Sequence, residues 1–223
     1  MTGPAIVELR QYTLRPGRRN VLIDLFEREF VESQEAAGMT LIGQFRDLDD
    51  PDRFVWLRGF PDMESRRRSL EAFYDGPAWQ AHRAAANETM IDSDNVLLLK
   101  PLDETSGFSP GERESRGALR SGQGRIIAGV HAFDGPDDPL FRRLAGDAVP
   151  ALRKAGARSV ATLVTDSSPN TFPRLPVREG EPVLVWFAAF ADPDAADAVP
   201  DLFTERSIQR LRLEPTVRSR LHG

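Results

Sequence analysis

The sequence predicts an α+β fold built from two tandem copies of one unit, each with an antiparallel sheet covered by helices. Three observations carry this prediction. The segment Val55, Trp56, Phe60, Asp62 returns as Val185, Trp186, Phe190, Asp192 at a constant offset of 130 residues, the mark of an internal duplication. Strand-like and helix-like periodicities follow in the same order on either side of a glycine-rich stretch. A chain of 223 residues that is 40% hydrophobic is also long enough for two units of about 100 residues each.

In the first unit, Val7, Leu9 and Gln11 alternate with Glu8, Arg10 and Tyr12 between Ile6 and Leu14, the two-residue period of a strand with two unlike faces. Pro16-Gly17 ends it. Val21, Leu22, Leu25, Phe26 and Phe30 then recur at helical spacing, and Gly38 stops the helix. Met39 to Arg46 reads as a second strand and Arg53 to Phe60 as a third, separated by an aspartate-rich turn. Asp62 caps a helix from Met63 to Tyr74, Pro77 opens another to Met90, and Val96 to Lys100 is the last strand. The order strand, helix, two strands, helix, strand is ferredoxin-like. Such a sheet leaves one face open, which a second sheet of the same kind would bury.

The first unit is placed at 1–102 and the second at 125–223. Between them, 103–124 holds five glycines and little apolar content and reads as a linker. The second unit predicts strands at Ile126–Phe133, Arg158–Thr165, Pro182–Phe190 and Leu211–Val217. A helix after Asp138 carries Leu140, Phe141, Leu144 and Leu152, with Pro150 expected to kink or split it, and another helix starts at Asp192-Pro193. The loop from Asp166 to Glu181, with three prolines, has the length of a candidate lid. Matching Lys100-Pro101 to Glu214-Pro215 gives an offset of 114, so the second unit lacks 130 − 114 = 16 residues, the equivalent of the segment around Pro77-Ala78-Trp79.

Composition narrows function by exclusion. A net charge of −5 argues against nucleic acid, which asks for a concentrated basic surface. The absence of cysteine removes disulfides and thiolate metal sites. No secretory leader or membrane-spanning run is apparent, so a cytoplasmic protein is expected.

The run Glu8-Leu9-Arg10-Gln11-Tyr12-Thr13-Leu14-Arg15-Pro16-Gly17, with the Trp56 strand and Pro77-Ala78-Trp79-Gln80, resembles the NIPSNAP family of the dimeric α/β-barrel superfamily over nearly all of the first half. In the second half Ile127 and Gly129 stand where Glu8 and Arg10 stand in the first. The resemblance implies two ferredoxin-like sheets closing into a barrel with a central cavity. Relatives by fold include cofactor-free monooxygenases, isomerases, polyketide cyclases and heme-degrading enzymes, so fold narrows function only slightly.

If Val7 and Leu9 face the helices, Glu8, Arg10 and Tyr12 face the barrel interior, and Trp56 and Arg58 share one face in the same way. Arg10 or Arg58 could then stabilise an oxyanion while Glu8 or Tyr12 moves a proton. An ion pair sealing the sheet interface is the alternative for Glu8 and Arg10. His131, aligned with Tyr12, is either a base in the same cavity or a core histidine. Trp56, Trp186, Trp79 and Phe45 are assigned to the walls around a small hydrophobic or aromatic molecule, with barrel packing as the alternative for the tryptophans. The expected function is a cofactor-independent oxygenase, isomerase or cyclase with no metal or organic cofactor. A non-catalytic small-molecule or protein-binding module is the alternative, and homodimerisation is left open. The helix with Trp79 and His82 is also similar to that of heme-degrading relatives, whose helix histidine ligates iron. His82 is the candidate there, although Glu8-Leu9-Arg10 replaces the asparagine those enzymes carry in the first strand.

Other motifs fall on mechanism. Gly107-Phe108-Ser109-Pro110-Gly111 matches a nucleophile elbow, but Pro110 lacks the N–H an oxyanion hole needs. Asp49, Asp50 and Asp52 lack calcium-loop spacing, and Arg66-Arg67-Arg68 reads as a solvated helix face.

Overall fold

In the computed structural model, residues 3–118, 124–135, 137–200 and 204–223 are described. The first half supplies β1 (Ile6–Leu14), α1 (Arg19–Leu25), a π-helical turn (Phe26–Phe30), α2 (Val31–Ala36), β2 (Thr40–Asp47), β3 (Arg53–Phe60), α3 (Met63–Tyr74), α4 (Pro77–Thr89) and β4 (Met90–Pro101). The second supplies β5 (Arg125–Ala132), α5 (Pro139–Lys154), β6 (Ser159–Thr165), β7 (Val183–Phe190), α6 (Pro193–Asp197) and β8 (Ser207–Pro215). Both halves are ferredoxin-like, and their sheets join edge to edge into one closed barrel, β1-β3-β2-β8-β5-β7-β6-β4. The barrel therefore closes within a single chain.

Register makes the duplication quantitative. Arg10 lies opposite Trp56 as Gly129 lies opposite Trp186, and Glu8 opposite Arg58 as Ile127 opposite Ala188. The two joints match too: Phe45 pairs with Pro215 and Leu163 with Pro101. A pseudo-twofold relation exchanges the halves.

The alternation of β1 is real, but its faces are the reverse of the expected ones. Val7 and Leu9 join Ile42, Phe45, Leu57, Ala128, Leu163, Phe187 and Leu213 in a core to which all eight strands contribute, which is the barrel interior. Tyr12 and Trp56 instead pack with Leu22, Phe26, Phe30, Leu70 and Phe73 beneath the helices. Both faces are buried, so polarity could not say which one was internal. The expected central cavity is filled with apolar side chains, and its polar contribution includes a reciprocal amide pair between Gln11 and Gln209 at 2.8 and 2.9 Å.

Several local expectations change as well. β4 begins at Met90 rather than Val96, because its first half is largely exposed and carries no apolar period. α5 runs through Pro150 unsplit, with Ala148 and Leu152 fully buried beside the proline. The side chains of Leu140, Phe141 and Leu144, and residues 119–123 of the linker, lie outside the described residues. The earlier part of the linker is docked: Phe108 is buried in the barrel core, 5.2 Å from Phe187, and Arg113 reaches Glu35 at 2.7 Å.

Candidate functional site

The polar row of β1 becomes a site because three elements converge on it. Strand register sets Glu8 beside Arg58. Asp62 caps α3 by accepting from the Ser65 N–H at 2.6 Å, and the first helical turn brings Arg66 down onto the same carboxylate. Glu8 Oε2 accepts from Arg10 Nη1 at 2.8 Å and Arg58 Nε at 2.7 Å, while Oε1 accepts from Arg66 Nε at 2.6 Å. All four residues are at most 1% exposed. Three guanidinium groups and one carboxylate leave the cluster with a charge of 3 − 1 = +2.

Electrostatics keeps Glu8 ionised. Burial pushes its carboxyl up, but the charges of Arg58, Arg10 and Arg66 together outweigh burial and hold it well below the usual carboxylate range. Burial pushes the Tyr12 phenol up, against the opposing pull of Arg10, so Tyr12 stays protonated. Burial likewise lowers Arg66, against the pull of Glu8.

Beside the cluster lies a small cavity of about 30 Å³, bounded by Tyr12, Phe30, Trp56, Phe73, Tyr74 and Trp79 among others. Arg10 and Arg58 both stack on Trp56, with guanidinium carbons 5.5 and 5.0 Å from the ring centroid. The Tyr12 hydroxyl accepts from Arg10 Nε at 3.2 Å, which leaves its proton available to the cavity it lines. Trp56 Nε1 and Arg66 Nη2 are buried donors with no acceptor among the described residues. The π-helical turn lies over this region; its Phe26 and Phe30, and Gln34 one turn on, line the cavity, and Gln34 Oε1 accepts from Arg58 at 3.2 Å.

The cover comes from the other half of the chain. Within the loop 166–181, Asn170 and Thr171 take hydrogen bonds from Arg66 Nη1 at 3.0 and 3.3 Å. Phe172 stacks on Tyr74 at 5.8 Å, and Arg174 pairs with Asp75 at 2.8 Å. The second half thus roofs the first half's site.

Its own equivalent of that site has been made apolar. Ile127, Ala188 and Ala196 stand at the positions of Glu8, Arg58 and Arg66, all buried with Leu152 and Trp186. Ala196 follows its cap Asp192 as Arg66 follows Asp62. Trp186 fills the space over Gly129, where an added Cβ would come within 2.5 Å of Nε1.

Of the residues singled out from sequence, Glu8, Arg10, Tyr12, Arg58, Trp56 and Trp79 come together here, in the layer between sheet and helices rather than inside the barrel. Phe45 does not, being a barrel-core residue. Trp186 and His131 belong to the second half's layer, where Trp186 Nε1 donates to His131 Nε2 at 3.0 Å, so the two tryptophans are not walls of one cavity. His82 faces Glu29 at 3.4 Å, is a third exposed, and is not among the cavity's lining residues; it does not fit a heme ligand. Arg66 is the missed residue: its flanking arginines are solvated, but Arg66 itself is fully buried. Its spacing from the Asp62 cap was the only available signal.

A larger groove of about 720 Å³ opens at the base of the loop, between Leu98, Val164, Asp166 and Arg178. Among the described residues no cluster of buried donors converges there, so size does not make it the site. Among the described residues no group of three or more His, Cys, Asp or Glu is placed to hold a metal ion, and no helix is long and apolar enough to cross a membrane.

Residues 7–105 match the NIPSNAP family model. A solved NIPSNAP-like domain protein from Burkholderia xenovorans, itself uncharacterized, is 32% identical over 47% of this chain and 88% of its own, with a TM-score of 0.41. The chain belongs to the NIPSNAP family. This NIPSNAP protein also shares its whole fold with a candidate monooxygenase from Lactobacillus acidophilus NCFM, at 13% identity, TM-score 0.59, covering 99% of this chain and 97% of that one. A second candidate monooxygenase, from Fusobacterium nucleatum, aligns over 100% and 98% at 9% identity and TM-score 0.58. At such identities the likeness is one of fold. No curated protein matches the chain.

Proposed function

We propose that this NIPSNAP protein binds a small aromatic or hydrophobic molecule in the first-half cavity and acts on it without a metal or organic cofactor. The observation that carries the reading is a buried, net-positive arginine cluster whose Arg10 and Arg58 lie against Trp56, a wall of the aromatic cavity, a combination that packing alone does not require. Buried guanidinium groups fixed by Glu8 are preorganised to stabilise an oxyanion, such as an enolate. Glu8, with its carboxylate committed to three arginines and its basicity suppressed, positions them and is a poor proton acceptor. Tyr12 keeps its proton and faces the cavity, so it is the proton donor. Oxyanion stabilisation with a donor suits carbonyl-activating isomerisation or cyclisation better than oxygenation. A non-catalytic binding module would use the same cavity without converting its occupant.

Native mass spectrometry of freshly purified protein, followed by turnover assays on any retained ligand, tests the reading. Tyr12→Phe and Arg10→Ala should keep the melting temperature measurable and lose turnover. Binding without conversion in the wild-type protein would favour the binding module, and a cavity that takes no aromatic molecule would end both.

A further inference from the structure

Resting on the reading of this cavity as a small-molecule site, we infer that its ligand is an anion, a carboxylate or a stable enolate attached to an aromatic or apolar body, held by Arg66 and Trp56 and enclosed by the loop 166–181. Charge supplies the first argument. Arg10, Arg58 and Arg66 are all buried around the single carboxylate of Glu8, and arginine cannot shed its proton to relieve the excess. A cluster of charge +2 in a desolvated layer is completed by a further negative group.

The unused donors supply the second. Arg66 spends Nε on Glu8 and Nη1 on Asn170 and Thr171, yet Nη2 is buried without an acceptor among the described residues. Trp56 Nε1 is in the same condition. The pseudo-symmetric tryptophan shows that the fold can satisfy this group, since Trp186 donates to His131 at 3.0 Å. At the corresponding place in the first half stands Tyr12, whose oxygen is engaged by Arg10. Trp56 lines the closed cavity and Arg66 does not, so an oxygen-bearing anion meets Trp56 Nε1 in the cavity and reaches Arg66 Nη2 only when the loop that holds Arg66 Nη1 moves. Where the second half lacks the charges, Ile127, Ala188 and Ala196 are buried in an apolar cluster instead.

The cover supplies the third. A cavity of about 30 Å³ has the volume of about one water, so an aromatic anion enters only if the loop moves. Phe172 is the side chain to displace, because it lies on Tyr74, a wall of the cavity. Asn170 and Thr171 hold the loop to Arg66 itself. A ligand that engages Arg66 therefore competes with the contacts that keep the roof shut, which couples entry to recognition of charge.

Isosteric pairs differing only in charge test the proposal: benzoate with benzamide, phenylacetate with phenylacetamide, and inorganic phosphate as a bare anion, titrated by calorimetry and by tryptophan fluorescence. The wild-type protein should bind the carboxylates at least tenfold more tightly than the amides. Arg66→Gln should bring that ratio close to one, Arg66→Lys should restore part of it, and Phe172→Ala should speed association of both members of a pair. Melting curves establish that each variant is folded. Amides that bind as well as carboxylates would overturn the anionic ligand while leaving the aromatic cavity standing. Phosphate binding as tightly as the carboxylates would overturn the aromatic body. No aromatic probe binding to either the wild-type protein or Phe172→Ala would instead remove the small-molecule site itself.

Discussion

Glu8 on β1 and Arg66 on α3 lie 58 residues apart in the chain and 2.6 Å apart in the fold, joining sheet to helix at a point closed to solvent. That contact gathers the rest of the cluster, because Glu8 is also the partner of Arg10 and Arg58.

Replacing the shared carboxylate should be costly. Glu8→Gln keeps the volume but leaves three buried guanidinium groups without their counter-charge, and breaking a buried pair in this way costs about 3–5 kcal/mol. Urea denaturation at neutral pH would show it as a lower midpoint, and a loss below about 1 kcal/mol would mean the cluster is solvated or otherwise compensated.

The same group sets an acid limit. Because the folded Glu8 carboxyl titrates well below its unfolded value of 4.5, its contribution is fully present above that pH and declines as pH falls below it. Glu32, lowered to about 2 against burial by its bonds to Arg218 and Arg116, adds a smaller, solvent-screened share over the same window. The acid limb of a stability-pH profile should therefore flatten in Glu8→Gln and scarcely change in Glu32→Gln.

Arg66 and Arg67 are neighbours in sequence and opposites in consequence. Arg67 is 39% exposed and pairs with Glu64 and Glu71 along the helix, so Arg67→Ala should cost about 0.5 kcal/mol. Arg66→Ala exposes no solvated group and strips one arm from Glu8, with an expected loss of about 3 kcal/mol or more. Equal effects in thermal unfolding would refute the placement of Arg66.

Gly129→Ala tests the silenced half. The added methyl would meet the Trp186 indole at 2.5 Å in a fully packed layer, an overpacking worth about 1–3 kcal/mol. A shift of tryptophan emission should accompany it, since Trp186 must then leave its bond to His131.

The loop should respond to its two anchors unequally. Arg174→Ala removes an exposed pair and should change stability by less than about 1 kcal/mol. Phe172→Ala removes a buried ring from the first half's helical layer and should make 166–181 markedly more sensitive to limited proteolysis, with little change in far-ultraviolet circular dichroism.

Most of the architecture was legible in the chain because it is written in local signals. Period-two alternation marked β1, the Asp62 cap marked α3, and the repeated Val-Trp-Phe-Asp pattern marked the duplication; each depends on residues a few positions apart. The 114-residue offset between Leu98 and Arg212 against Glu8 and Ile127 also agrees with the pairing register. What alternation cannot do is choose an inside when a sheet is buried on both faces. Val7 and Leu9 turned to the barrel, and Glu8 and Arg10 turned to the helices, because eight apolar strand faces can fill a closed lumen completely while the helical layer alone offers Arg58 and Arg66 as partners. The sequence by itself determined the two units, their elements and the polar row on β1. Only the tertiary structure decided which side that row faces, that Arg66 is its third cation, and that Asn170 to Phe172, more than 100 residues away, close over it. The reason is physical: the burial of a charge depends on partners brought together by folding, and no spacing along the chain encodes them.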